Sequence, residues 1–285
     1  MSRLIRRMTA LADRLTAWGT RWLQGRLARR LWLILAAAAT VFGLGFGTLQ
    51  AASVVAHEER TEVTAVDAAD LDSVAVDNGA GSVEVIGVGR TDEVTVRARI
   101  SDGLRDTGHE VVTRDGVLFV NGSCPLFGSE WCAVDYTIEV PEDMYLDVRG
   151  RDGVSVTDQA GDLRAHSSQG AIELTRVGGE VTVSAGQGRI EGDGLAATRL
   201  DASAGQGRVA VDFVTSPERV VAHAGQGRID IVLPDDPAVY YDTTGTEASQ
   251  GSVNVAVRTD PDSDRSISAR AGQGSITIGY GTAAG

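Results

Sequence analysis

A glutamine held between a small residue and a glycine recurs six times in the second half of this chain. No other feature constrains its folding as much. Ser-Gln-Gly at 168–170 is followed by Gly-Gln-Gly at 186–188, 205–207 and 225–227, then by Ser-Gln-Gly at 249–251 and Gly-Gln-Gly at 272–274. The central residues Gln169, Gln187, Gln206, Gln226, Gln250 and Gln273 are spaced by 18, 19, 20, 24 and 23 residues. Degenerate copies precede them, Gly-Arg-Asp at 150–152 and Gly-Ala-Gly at 79–81. Periods of this length mark repeat architectures, in which each unit buries its apolar face only against its neighbours.

Each triplet is followed by one residue and then by an apolar–variable–apolar trio. The trios are Val83/Val85, Val154/Val156, Ile172/Leu174, Val209/Val211, Ile229/Ile231, Val253/Val255 and Ile276/Ile278. One copy departs, with Ile190 followed by Gly192. Alternation with period two is a half-buried strand. Six positions before the Gln stands a large apolar residue in Leu163, Val181, Leu200, Val220 and Ile267. Small residues follow it, as in Ala202/Ala204, Ala222/Ala224 and Ala269/Ala271. This is a second strand whose inward side chains shrink toward a tight corner, where glycine on either side of Gln allows positive φ. The predicted fold is all-β, a parallel β-solenoid or β-helix-like body. The rival, an antiparallel meander, gives no reason for identical turns at equal offsets.

The charge divides the chain. Residues 1–30 hold eight arginines against Asp13, a net of +7, so the remainder carries −20 of the total of −13. Between them Leu31 to Ala56 is uncharged. About 20 apolar residues cross a bilayer, and arginine-rich flanks stay in the cytoplasm. A transmembrane α-helix over 31–55 is therefore expected at the cell membrane, with an inner N-terminus and an extracytoplasmic body. A cleaved signal peptide ending near Val54-Val55-Ala56 is the rival. Leu4, Met8, Leu11, Leu15, Trp18 and Trp22 form one apolar helical stripe, so 1–30 reads as an amphipathic segment on the inner leaflet, or as a helix for a cytoplasmic partner. Residues 56–69 read as a linker, 70–280 as the solenoid, and 118–147 within it as a cap region. The acidic body excludes nucleic acid as a partner, because that needs cationic surface.

The stretch Ala-Gly-Gln-Gly-Arg-Ile-Asp-Ile at 224–231 and the lead-in Tyr-Thr-Ile-Glu-Val-Pro-Glu-Asp-Met-Tyr-Leu-Asp-Val-Arg at 136–149 carry a resemblance. Residues 70–280 resemble the putative-adhesin domain of bacterial envelope proteins, a group that includes the head-domain GIN repeats of autotransporter-like adhesins. The resemblance implies an exported, parallel-stranded solenoid with an adhesive role. The strict Gln series departs from the family pattern, where Asn or Ser often stands.

Candidate sites follow from stacking. The Gln column is expected to form an amide ladder that fixes the turns or meets a repetitive polymer. Arg189, Arg208 and Arg228 follow it in consecutive coils as a basic stripe, with Glu173, Glu191 and Asp230 close in register. Cys124 and Cys132 are the only cysteines, and in an exported segment they are expected to form a disulfide. That would close a loop displaying Phe127 and Trp131 as contact residues, or capping the open end of the stack. No metal or cofactor is expected. His166 and His223 fall three coils apart, and the acid of Gly-Gln-Gly-Arg-Ile-Asp is Glu191 in one coil and Ala210 in the next, which does not supply a calcium shell. The predicted function is non-enzymatic binding to a cell-wall polymer or envelope protein. The alternatives are an envelope sensor coupled to segment 1–30, and a polysaccharide-cleaving β-helix enzyme. The last needs acids gathered on one face, and no column of the repeat collects them.

Overall fold

The structure is a computed structural model that describes residues 35–36, 39–40, 58–102, 106–125 and 132–281. The segment 1–30, most of the 31–55 span, and Phe127 and Trp131 lie outside the described residues. Leu35, Ala36, Ala39 and Thr40 are helical, and the Thr40 hydroxyl donates to the Ala36 carbonyl at 2.8 Å. Among the described residues no helix is long and apolar enough to cross a membrane.

Residues Ala56–Gly285 form one compact unit, whose regular structure among the described residues is strand apart from the single 3-10 turn at Ala68–Asp70. In chain order it begins with β1 (Glu58–Asp67), β2 (Ser73–Asn78), β3 (Ser82–Gly87), β4 (Glu93–Asp102), β5 (Gly108–Arg114), β6 (Val117–Ser123) and β7 (Ala133–Val140). The repeat then supplies pairs: β8 (Tyr145–Gly150) with β9 (Gly153–Thr157), β10 (Leu163–Ser167) with β11 (Ala171–Thr175), and β12 (Glu180–Gln187) with β13 (Ile190–Leu195). Next come β14 (Arg199–Gln206) with β15 (Val209–Phe213), and β16 (Arg219–Gln226) with β17 (Ile229–Leu233). The last are β18 (Glu247–Gln250) with β19 (Val253–Val255), and β20 (Ser266–Gln273) with β21 (Ile276–Tyr280). One member of each pair lies in a 10-stranded sheet and the other in an 11-stranded sheet, and neither sheet closes into a barrel.

From β8 to β17 every strand pairs in parallel with the equivalent strand of the next coil. The inward residues of both sheets form one apolar cluster. Leu163, Val181, Leu200, Val220 and Ile267 fill the middle of the section, and Ala204, Ala224 and Ala271 the corner, all of them buried. The odd copy has a simple cause. A Cβ on Gly192 would meet Leu195 Cδ1 at 2.7 Å, so Leu195 takes the missing side chain's place. The register against β15 shifts between Gly192 and Leu195 as a bulge.

Four expectations are corrected. The sheets are mixed rather than wholly parallel, because β1 with β4, β4 with β7, and β5 with β6 run antiparallel. Residues 56–69 are not a linker, since β1 pairs with β4 along ten residues and is an outer strand of its sheet. The first glycine of each Gly-Gln-Gly does not serve positive φ; that conformation falls on the second at Gly207, Gly227 and Gly274, and on neither glycine of the 186–188 copy. Finally, chain order and stacking order differ at both ends. The β2–β3 coil lies between β6–β7 and β8–β9, and the β20–β21 coil lies between β16–β17 and β18–β19.

Candidate binding surfaces

The Gln residues share a column. Gln187 pairs with Gln206, Gln206 with Gln226, Gln226 with Gln273, and Gln273 with Gln250. The last two therefore stack in reverse of chain order. Gln169 lies two residues past the Ser167–Ala185 pair, at the same corner. All six are exposed. Among the described residues none of their side chains hydrogen-bonds to another, so the amides form an array on the surface rather than a bonded ladder. His166 and His223 lie in one column, separated by Ser184 and Ser203.

One residue before β13, β15 and β17 stands the arginine row, and the acids interleave with it. Arg189 reaches Glu173 at 3.2 Å and Glu191 at 2.9 Å, Arg208 pairs with Glu191, and Arg228 donates to the Ser275 hydroxyl at 3.3 Å. The Arg208 and Arg189 guanidiniums hold the Glu191 carboxyl below the usual carboxylate range. Asp230 forms no ion pair among the described residues.

Beside this row the bulge at Gly192 opens a groove of about 370 Å³, lined by Glu173, Glu191, Asp193, Asp212 and Asp230. Burial, with the neighbouring Asp193, pushes the Asp212 carboxyl up. Carboxylates from four coils thus converge where no gathering of acids was expected. In the sequence they stand a full period apart, and the one signal was the Ile190-x-Gly192 break that makes the bulge. Among the described residues no group of His, Cys, Asp and Glu is placed to hold a metal ion.

The end of the stack built from β4 to β7 carries the disulfide. Cys124 and Cys132 are joined, with Cα atoms 5.8 Å apart. Closing a loop of this length restrains the unfolded chain by about 2–3 kcal/mol. The Cys124→Ser/Cys132→Ser pair is expected to lose about that much in urea unfolding, with the repeat coils still folded at low denaturant.

Beside the loop is a buried polar cluster. The Tyr136 hydroxyl donates to the Asn121 carbonyl at 2.8 Å, so His109 Nδ1, also at 2.8 Å, donates to the phenol oxygen. His109 Nε2 then faces Glu62 at 3.8 Å. Burial pushes the Tyr136 phenol far above its ordinary range. Burial also lowers the His109 pKa, with Arg60 adding to the effect and Glu62 opposing it. The unfolded chain therefore binds this proton at higher pH than the folded one, and stability falls as pH drops below about 6.5. His109→Gln is expected to flatten the unfolding free energy between about pH 7 and pH 5, measured by urea titration at each pH.

No protein-family model and no curated protein matches this chain. Several solved structures are similar to it. A putative adhesin from Parabacteroides merdae is 13% identical with a TM-score of 0.46, covering 79% of this chain and 97% of that one. A putative lipid binding protein from Parabacteroides distasonis is 15% identical with a TM-score of 0.43, covering 78% of this chain and 97% of the other. A putative cell adhesion protein from Clostridium sporogenes is 14% identical with a TM-score of 0.37, covering 79% of this chain and all of that one.

Proposed function

We propose that this chain is a membrane-anchored, extracytoplasmic β-solenoid of the adhesin type that binds envelope material without performing chemistry on it. The observation that carries the reading is the periodic display of polar groups on a rigid stack. Gln187, Gln206, Gln226, Gln273 and Gln250 stand in one exposed column. The row of Arg189, Arg208 and Arg228 and its acidic groove run beside it over several coils. Strands in a sheet repeat about every 4.8 Å, so such a surface offers the same contact again and again to a repetitive polymer. Its backbone is held by packed strands, so binding has to order side chains alone. The anchor and the orientation rest on the uncharged stretch 31–56 and on the +7 segment before it.

The test is retention of cell-wall polymer or envelope protein by the immobilised full chain, compared with a Gln206→Ala/Gln226→Ala/Arg208→Ala variant. Retention that the variant weakens supports the reading, and no retained material overturns it. Orientation is tested separately by a reporter fused after Gly285. Activity confined to the cytoplasm would overturn the topology.

A further inference from the structure

At the corner of the stack nearest the disulfide end is a second concavity, of about 430 Å³, which the repeat pattern does not announce. We propose that it binds an oxyanion carried on a saccharide, a sugar carboxylate or a sugar phosphate, through Arg149, Arg151 and His166. This names a ligand class for the envelope-binding reading and rests on it.

The site is assembled by the order of the coils. Because β2–β3 is stacked against β8–β9, Asp77 pairs with Arg149, and Arg149 in turn pairs with His166 of β10. These three side chains sit on the outward face of adjacent strands, spanning about 10 Å. Beyond them Gln169 N–H donates to the Arg151 carbonyl at 2.9 Å, which brings Arg151, Ser168 and Gln169 to the same corner. In the sequence Asp77 lies far from Arg149.

Most donors here are uncommitted. Arg149 makes one contact to Asp147 at 3.4 Å, and Arg151 approaches Asp152 only to 3.9 Å. Arg176, by contrast, grips Asp158 with two bonds of 2.6 and 2.8 Å. A guanidinium has five N–H donors in a planar fork suited to bidentate contact with an oxyanion. The side chains of His166, Ser168 and Gln169 form no hydrogen bond among the described residues. Cationic and neutral donors thus converge with one carboxylate, Asp77, beside Arg149. An inorganic anion would have no use for that carboxylate, whereas a sugar donates hydroxyl protons to it. The span of three strands fits one or two sugar units. The acidic body opposes anions at long range, but at physiological ionic strength charges beyond about 8 Å are screened, and the two guanidiniums line the cleft itself.

The test titrates the full chain with three tetrasaccharides of one backbone: neutral, carboxylated and phosphorylated. Saturable binding of at least one anionic probe is expected, with the neutral one at least tenfold weaker, and the preferred anion identifies the source. Arg149→Ala/Arg151→Ala is expected to reduce the anionic affinity tenfold or more, while Arg219→Ala/Arg270→Ala, at exposed positions outside both surfaces, leaves it within twofold. Both cleft arginines are more than half exposed on their side chains, so circular dichroism should be unchanged. Should it change, Ser168→Trp at an exposed position fills the cleft instead and should abolish binding. Equal affinity for the neutral probe, or anionic affinity untouched by the cleft variants, overturns the site. A chain that still retains envelope material but binds no anionic saccharide overturns the cleft alone. A chain that retains nothing overturns the broader reading.

Discussion

Replacing Gly227 by alanine is expected to destabilise the stack by about 3 kcal/mol or more, read as a shift of the urea midpoint. Two effects add. The residue has φ +147, a conformation that residues with a side chain adopt only with strain of about 1–3 kcal/mol. The new Cβ would also fall 1.6 Å from the Gly207 carbonyl oxygen, which is backbone and can yield only by moving its own coil. That coil has no room to move. A Cβ on Gly207 would lie 2.0 Å from the Gly188 carbonyl, and one on Gly274 would lie 1.6 Å from that of Gly227. The corner is thus a run of backbones in mutual contact, and one methyl forces several of them apart. Gly279→Ala is the control: it has no atom within 4 Å of an added Cβ and no left-handed φ, so it should change stability by less than about 0.5 kcal/mol. A loss at Gly227 no greater than at Gly279 would refute this account of the corner.

Asn78→Ala is expected to cost about 3–5 kcal/mol, because this side chain fastens the swapped end of the stack. It is 1% exposed, donates to the Val134 carbonyl at 2.7 Å and the Ser82 carbonyl at 3.0 Å, and accepts from the Ala80 N–H at 3.0 Å. Alanine would remove three bonds and leave their partners buried and unpaired, at about 1–3 kcal/mol for each group left unsatisfied, partly relieved by relaxation. Asn78→Asp keeps the shape and the acceptor but faces a carboxylate toward two carbonyls. At neutral pH it should lose at least as much. If the aspartate variant were as stable as the parent, the donated bonds to Ser82 and Val134 would not be what fastens this end.

Much of the body could be read from residues in order. The Gln-Gly spacing located the corner, the alternating trios located the strands, and the large-to-small gradient of Leu200, Ala202 and Ala204 gave the inward face, all buried as expected. What was not legible was the sequence of stacking. The one local sign is that Thr244 stands six residues before Gln250, where Ile267 stands before Gln273, so the β18 coil lacks the large inward residue that β20 sets against β16. The segments 234–246 and 256–265 connect the coils in that order, and their contacts include Arg258 to Asp235 at 2.8 Å and the Arg265 guanidinium to the Ser216 and Pro217 carbonyls at 2.9 Å each.

The antiparallel end carried one local sign that the parallel repeat pattern overshadowed. Asp115-Gly116 is a hairpin turn, and both residues take positive φ, at 50 and 76, as a two-residue turn of this kind requires. The acidic groove and the anion cleft escaped for one shared reason. Each gathers residues one period or more apart, so neither forms a local motif.

The exchange of coil order at both ends also bears on how such a protein changes size over generations. At the β18–β19 end a coil cannot be added or lost in chain order without disturbing an interleaved neighbour, because the outermost coil there is not the last in the chain. Between β8 and β17 the two orders agree. There Arg199 and Arg219 occupy equivalent positions, so removing Arg199–Glu218 joins Thr198 to a residue of the same register. Such a shortened chain should still unfold in one cooperative step. Lineages of this architecture are then expected to differ in the number of central coils while keeping their two interleaved ends, so that reach, rather than the cap or the seam, is the trait left free to vary.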